Sequence, residues 1–595
     1  MRRKLLFFSA LLAAQTAFAI PALPVWQQHR QADGTVITYK LVGDEHFNFA
    51  VTRDNIPLVL KGGDLYYAQV SNGSLVASAR LAHDEAQRQQ GETQTATSLT
   101  DVISLQQRRQ AARQTAQQIT HRRVVTTGTK KGLVILVQFS DKSFTNPANV
   151  LTLGSGEKTI KALYTDMLNK EGYTDKKTGA IGSVHDYFKD QSNGKFDLSF
   201  DVVGPITLSH SYSYYGEHTD NDNDANAPQM IIDACKAVKD SVDFSRYDWD
   251  GDGEVEQVYV VYAGEGEATG GDANTVWPHK YNLSAVGKSL SYNGVKIDTY
   301  ACSNEVIRAE VNGKTRTYYM GIGTICHEFS HCLGLPDLYD TGYGGNVGTG
   351  QFDLMCSGSY NGGPQSLENV YGGSGIGMAP AGYTAYERAF MGWLKPVELD
   401  KEEIDVTGMK GLTDGGQSYV LYNPDNKDEY YLFENRSNNS WDSELPAHGL
   451  LVTHVDYDAM SWNYNMVNAA RYQNHPRLTI VPADDYLSSD SEENDTYPYN
   501  TNNSLTGSSS PALSFYTGYT VPSTAGITKI AKADDETVSF HFTPLSGATA
   551  IRTVQATKGT SQQYYLPDGR LVSEPVSGQL VIVKNADGTV KKVVK

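Results

Sequence analysis

The stretch "GTICHEFSHCLGLPD", residues 323–337, decides how the rest of the chain is read. His327 and His331 stand four apart, so on a helix both imidazoles leave the same face. Two such rings can reach one metal ion at about 2.0–2.1 Å. Glu328, beside the first histidine, can take a proton from a water held by that ion. Gly334 follows where the helix must stop, and glycine suits the left-handed turn that reverses a chain. Pro336 keeps the helix from resuming. The reversal would bring Asp337 back toward the two histidines as a third ligand.

A second candidate for that position is Glu387 in "GYTAYERAF", a glutamate on a later helix. Asp340 needs a further bend and fits less well. Downstream, "FDLMCSGSYNGG" (352–363) sets Met355 in a turn, where a methionine could form a soft apolar floor under the histidines. Cys326 and Cys332 flank the histidines but form no C-x-x-C pair, so they read as packing or disulfide residues rather than ligands. The chain's five cysteines are an odd number, and their pairing is not readable from spacing.

Together, "GTICHEFSHCLGLPDLYD" and "DLMCSGSYNGG" resemble the metzincin zinc proteases, and most closely the immune inhibitor A-like family. "GLVILVQFSD", "SVHDYFKDQSNGKF", "YDWDGDGEVEQVYVVYAGEGE", "VWPHK", "YERAFMGWLKP" and "YYLFENRSNNSWDSELPAHGLLVTHVDYD" resemble family stretches in family order, over about residues 131–545. The resemblance implies a secreted bacterial endopeptidase made with a prosegment. It implies zinc at His327, His331 and Asp337, Glu328 as general base through a zinc-bound water, and Met355 as the Met-turn. Residues 20–130 contain no cysteine, so a prosegment thiol cannot block the metal. Latency would then rest on a carboxylate or on steric cover.

A second metal is suggested by "YDWDGDGEVE". Asp248, Asp250 and Asp252 alternate and Gly253 follows, as at the start of a calcium loop. The twelfth position is Tyr259 and not glutamate, so this is no standard EF-hand; Glu256 could complete the site earlier.

The whole chain agrees with an exported enzyme. Its 595 residues call for several structural units. A net charge of −18 argues against nucleic acid or an anionic membrane as partner. Arg2, Arg3 and Lys4, the apolar run from Leu5 to Ala14, and Ala17-Phe18-Ala19 read as a signal peptide cut after Ala19. No later run is long enough to span a bilayer.

The expected organisation is a signal peptide (1–19), a prosegment with a basic linker (20–130), a zinc metalloprotease catalytic domain (131–396), a β-sandwich-like domain (397–545) and a small β-rich tail (546–595). The linker, 106–131, carries seven Lys or Arg residues and no acid, which suits a protease-accessible connector. The expected fold class is α/β (α+β): a metzincin-like catalytic domain between a prosegment and a sandwich. The tail weakly resembles the sorting domains of type IX secretion cargo, so the location is outside the cell or on its surface. Substrates are proteins or peptides, and the chain is expected to be a monomer. The alternatives are an inactive surface adhesin or carbohydrate-binding protein with a protease-like domain, and a zinc amidase or aminopeptidase.

Overall fold

"GLVILVQF" is apolar without alternation, which suits a strand covered on both faces. In the computed structural model it lies within the strand Gly128–Gln138, an inner strand of a six-stranded sheet, next to its edge. The structure describes residues 18–594 except 45–46, 72–73, 95, 106–123, 151–153, 155, 219–222, 312–313, 343–344, 363–375, 470–474, 546–550, 556–562, 566–570, 573–579 and 585–589. The signal segment up to residue 17 and most of the basic linker therefore fall outside the described residues.

Phe196–Thr207, Gly128–Gln138, Val258–Tyr262 and Thr299–Asn304 run parallel, in that order across the sheet. His279–Asn282 adds antiparallel beside the last of them. Side chains of the strand Gly128–Gln138 alternate between two cores. Val134 and Leu136 join one, with Ile325 and Phe329 of the motif helix; Leu133, Ile135 and Val137 join the other, with Met230 and Ile231 of the helix Ala227–Val238. The motif helix, Gly323–Cys332, thus lies against one face of the sheet.

Ahead of this domain, residues 26–81 form a six-stranded antiparallel meander. Behind it, two five-stranded sheets enclose one core, with Phe433 and Val452 from one and Ile527 and Phe540 from the other. Ile551–Gln555, assigned to the tail from sequence, pairs in parallel with Glu403–Met409 at the edge of the second of these sheets. The remaining tail strands form a four-stranded sheet. Among the described residues no helix is long and apolar enough to cross a membrane.

The β-domain is anchored to the catalytic domain by a buried charge. Arg436 is fully buried and bidentate with Asp442, at 2.9 and 2.7 Å. It also donates to the carbonyls of Phe352 and Gly382. A buried guanidinium persists only when paired and hydrogen-bonded, and both conditions hold here.

Candidate metal centre

The motif helix ends as its sequence requires. Gly334 has φ +104°, and Leu335 N–H donates to Ser330 O across the reversal. The chain then returns to place Asp337 beside the histidines. His327 Nε2 and His331 Nε2 are 3.1 Å apart, and Asp337 Oδ1 lies 3.2 Å from each. All three residues are buried.

Both rings are oriented by backbone carbonyls. His327 Nδ1 meets Leu354 O at 2.8 Å, and His331 Nδ1 meets Leu335 O at 2.8 Å. A carbonyl can only accept, so each Nδ1 carries the hydrogen and each Nε2 presents its lone pair to the centre. The edges of a tetrahedral site with zinc-type bonds measure about 3.3–3.4 Å, so this triangle of two imidazole nitrogens and one carboxylate oxygen fits such an ion closely. Burial opposes charge on Asp337, yet the neighbouring His331 and His327 hold its carboxyl down at about 2.

Glu328 is fully buried, and burial pushes its carboxyl up to about 8, with Asp337 adding to the rise and His327 opposing it. Its Oε1 accepts the backbone N–H of Ile20 at 2.7 Å. Phe18 and Ala19 pair antiparallel with the sheet's edge strand at Lys280 and His279. Trp277 Nε1 donates to Ile20 O and Tyr360 OH to Pro21 O, each at 2.8 Å. Residues 18–21 therefore lie over Glu328 like an added strand.

Met355 is buried, and its turn binds both halves of the motif. Leu354 O holds His327, while Met355 O accepts Leu338 N–H at 2.8 Å. The turn is shaped by Asp353, whose Oδ1 accepts Met355 N–H at 2.7 Å. Glu387, the rival third ligand, is not with the histidines. It caps its own helix, Ala385–Phe390: its Oε2 accepts Thr384 N–H at 2.6 Å in a capping box. Its carboxyl faces Asp353; burial, and then the neighbouring carboxylate, drives Glu387 well above the usual range.

The acidic loop also gathers. Asp248, Asp250 and Asp252 each bring one oxygen within 4.8 Å of the others. Gly251 and Gly253 N–H groups donate to Asp248, and Gly253 has φ +88°. Glu256 is not in that group; its Oε2 accepts Trp249 N–H at 2.6 Å. All five cysteines are buried free thiols, and none belongs to a metal-binding group among the described residues. Burial pushes Cys235, Cys332 and Cys356 up to about 12.

Reasoning from sequence missed Asn465, which bonds Asp337 twice, and Ile20 on Glu328. Both contacts join segments remote in the chain, and no local pattern announces them.

A helix carrying two histidines and a glutamate, a glycine reversal to an aspartate, and a methionine turn beneath them define a metallopeptidase domain. Residues 118–392 match the family described as immune inhibitor A peptidase M6, catalytic domain. The chain is 28% identical over 269 residues to the pre-pro-metalloprotease PrtV of Vibrio cholerae, covering 39% of this chain and 28% of that protein. It is 23% identical over 308 residues to immune inhibitor A of Bacillus thuringiensis, covering 46% and 42%. A putative secreted metallopeptidase of Arthroderma benhamiae is 24% identical over 273 residues, covering 38% and 37%. The chain thus spans less than half the length of each of these relatives.

Proposed function

We propose that this protein is a secreted zinc-dependent endopeptidase that cuts peptide bonds in proteins. The observation that carries the reading is the buried triangle of His327 Nε2, His331 Nε2 and Asp337 Oδ1, with edges of 3.1–3.2 Å, beside Glu328. Zinc held there would supply a Lewis acid and a water of lowered pKa. His327, His331 and Asp337 hold the ion. Glu328 accepts the proton of the attacking water and returns it to the departing amine. Burial of the site excludes bulk water and strengthens each of these interactions.

Residues 20–130 are proposed to be a prosegment. Ile20 N–H occupies one oxygen of Glu328, and Trp277 and Tyr360 hold the carbonyls of Ile20 and Pro21, so the segment covers the base and bars a substrate from it. Export is supported by the signal-like first residues and by relatives whose names include "pre-pro" and "secreted". The role of the tail in sorting to the surface, and the monomeric state, are proposed from sequence alone. Calcium is proposed for the loop at Asp248, Asp250 and Asp252, whose three oxygens converge. An inactive adhesin has no use for an intact His327, Glu328, His331 and Asp337 set, which favours the enzyme.

The deciding experiment is metal analysis of the purified protein, with casein cleavage measured before and after chelation. About one zinc per chain, with cleavage lost on chelation and restored by zinc, supports the proposal. Cleavage untouched by chelator overturns it, and cleavage confined to chain ends points to an aminopeptidase.

A further inference from the structure

The metal triangle is finished by a residue from outside the catalytic domain. Asn465 lies just beyond the short helix Ala459–Asn463, 128 residues from Asp337. Its Oδ1 accepts Asp337 N–H at 2.7 Å, and its Nδ2 donates to Asp337 Oδ2 at 2.5 Å. One amide thus grips both the backbone and the side chain of one aspartate. We infer that Asn465 is the positioning residue for Asp337: it engages Oδ2 and so leaves Oδ1 as the single oxygen facing the histidines. The inference rests on reading His327, His331 and Asp337 as metal ligands.

The reasoning is geometric. The terminal torsion of an aspartate is broad and nearly two-fold, so the backbone alone does not select which oxygen faces an ion. A donor on one oxygen makes the selection. Asn465 can serve because it is fixed itself. It has φ +52°, a conformation that asparagine tolerates better than most residues. Its carbonyl accepts Thr341 Oγ1 at 2.9 Å, and it is 8% exposed. Asn468, three residues on, donates to Leu338 O at 2.9 Å. Two asparagines of one turn therefore hold two consecutive residues of the returning chain. The turn lies outside the matched catalytic segment, 118–392. Groups that orient a metal ligand in this way are typically worth about 10–100-fold in metal affinity.

The test uses the full chain as wild type, Asn465→Ala, Asn465→Asp and Asn468→Ala. Zinc affinity is measured by chelator competition, and folding by circular dichroism and thermal midpoint. Asn465→Asp keeps the volume and can still accept Asp337 N–H, but it cannot donate to Oδ2. Both Asn465 variants are expected to stay folded and to bind zinc about 10–100-fold more weakly. Asn468→Ala is expected to lose some stability and keep its zinc affinity. Wild-type affinity in the Asn465 variants overturns the inference. Equal loss of zinc affinity in Asn468→Ala also overturns it, since the turn would then act only as general support. A wild-type chain that takes up no zinc overturns the metal reading beneath it, a result distinct from either.

Discussion

The backbone N–H of Ile20 donates to Glu328 Oε1 at 2.7 Å across a sequence separation of 308 residues. The group expected to move protons is thereby held by the start of the same chain. The full chain should cleave casein far more slowly than a form cut within residues 106–131. Timed proteolysis with parallel activity assays checks this: activity should rise as the N-terminal fragment is lost. Full activity before any cut would show that this contact does not hold the enzyme latent.

Glu328→Gln keeps the shape of the site and removes the base. Zinc content should be unchanged and hydrolysis should fall by at least about 10²-fold. Appreciable cleavage by the zinc-loaded variant would remove Glu328 from the mechanism.

Asp337→Ala should lose most of its zinc, whereas Glu387→Gln should keep it. Glu387 caps its own helix and faces Asp353, so its loss should appear as lower stability through a loosened Met355 turn. Zinc content together with denaturant midpoints separates the two variants; loss of metal from Glu387→Gln and not from Asp337→Ala would reverse the assignment.

The difference in legibility between these two acids is instructive. The return of Asp337 toward the histidines is signalled locally, by a four-residue histidine spacing, a glycine at φ +104° and a proline, although the clamp that orients its carboxylate is remote. Glu387 is the less favoured rival on sequence, and Thr384 three residues earlier carries the capping signature that explains its place. That Gly128–Gln138 is a buried strand is legible from its unbroken apolar run, though it lies next to the sheet edge and not at the centre. Asn465 and Ile20 were not legible, because a clamp across 128 residues or a strand laid over a cleft follows from tertiary packing alone.

Arg436→Ala should cost about 3–5 kcal/mol, because Asp442 and Glu434 would be left buried without their cation. Equilibrium unfolding measures it. A change below about 1 kcal/mol would mean that water or a shifted side chain replaces the guanidinium.

Asp495 is fully buried, and neither of its carboxylate oxygens has a hydrogen-bond partner among the described residues. Burial, with Glu492 nearby, pushes its carboxyl up to about 8. A carboxyl raised in the folded state binds its proton more tightly there than in the unfolded chain. Its contribution to stability is therefore greatest below the unfolded value of about 4 and declines as pH rises toward about 8. Asp495→Asn should melt increasingly above wild type as pH goes from 5 to 8.5. Parallel melting curves across that range would contradict the assignment.

The five buried free thiols carry a practical consequence. No cross-link has to form for this fold to be reached, and none can be broken to relax it. Refolding should need no oxidant, and a reductant that does not bind zinc, such as a phosphine, should neither wake nor silence the folded protein. Control over its activity would pass through cutting and docking of main chain, and oxidation state would have no purchase on it.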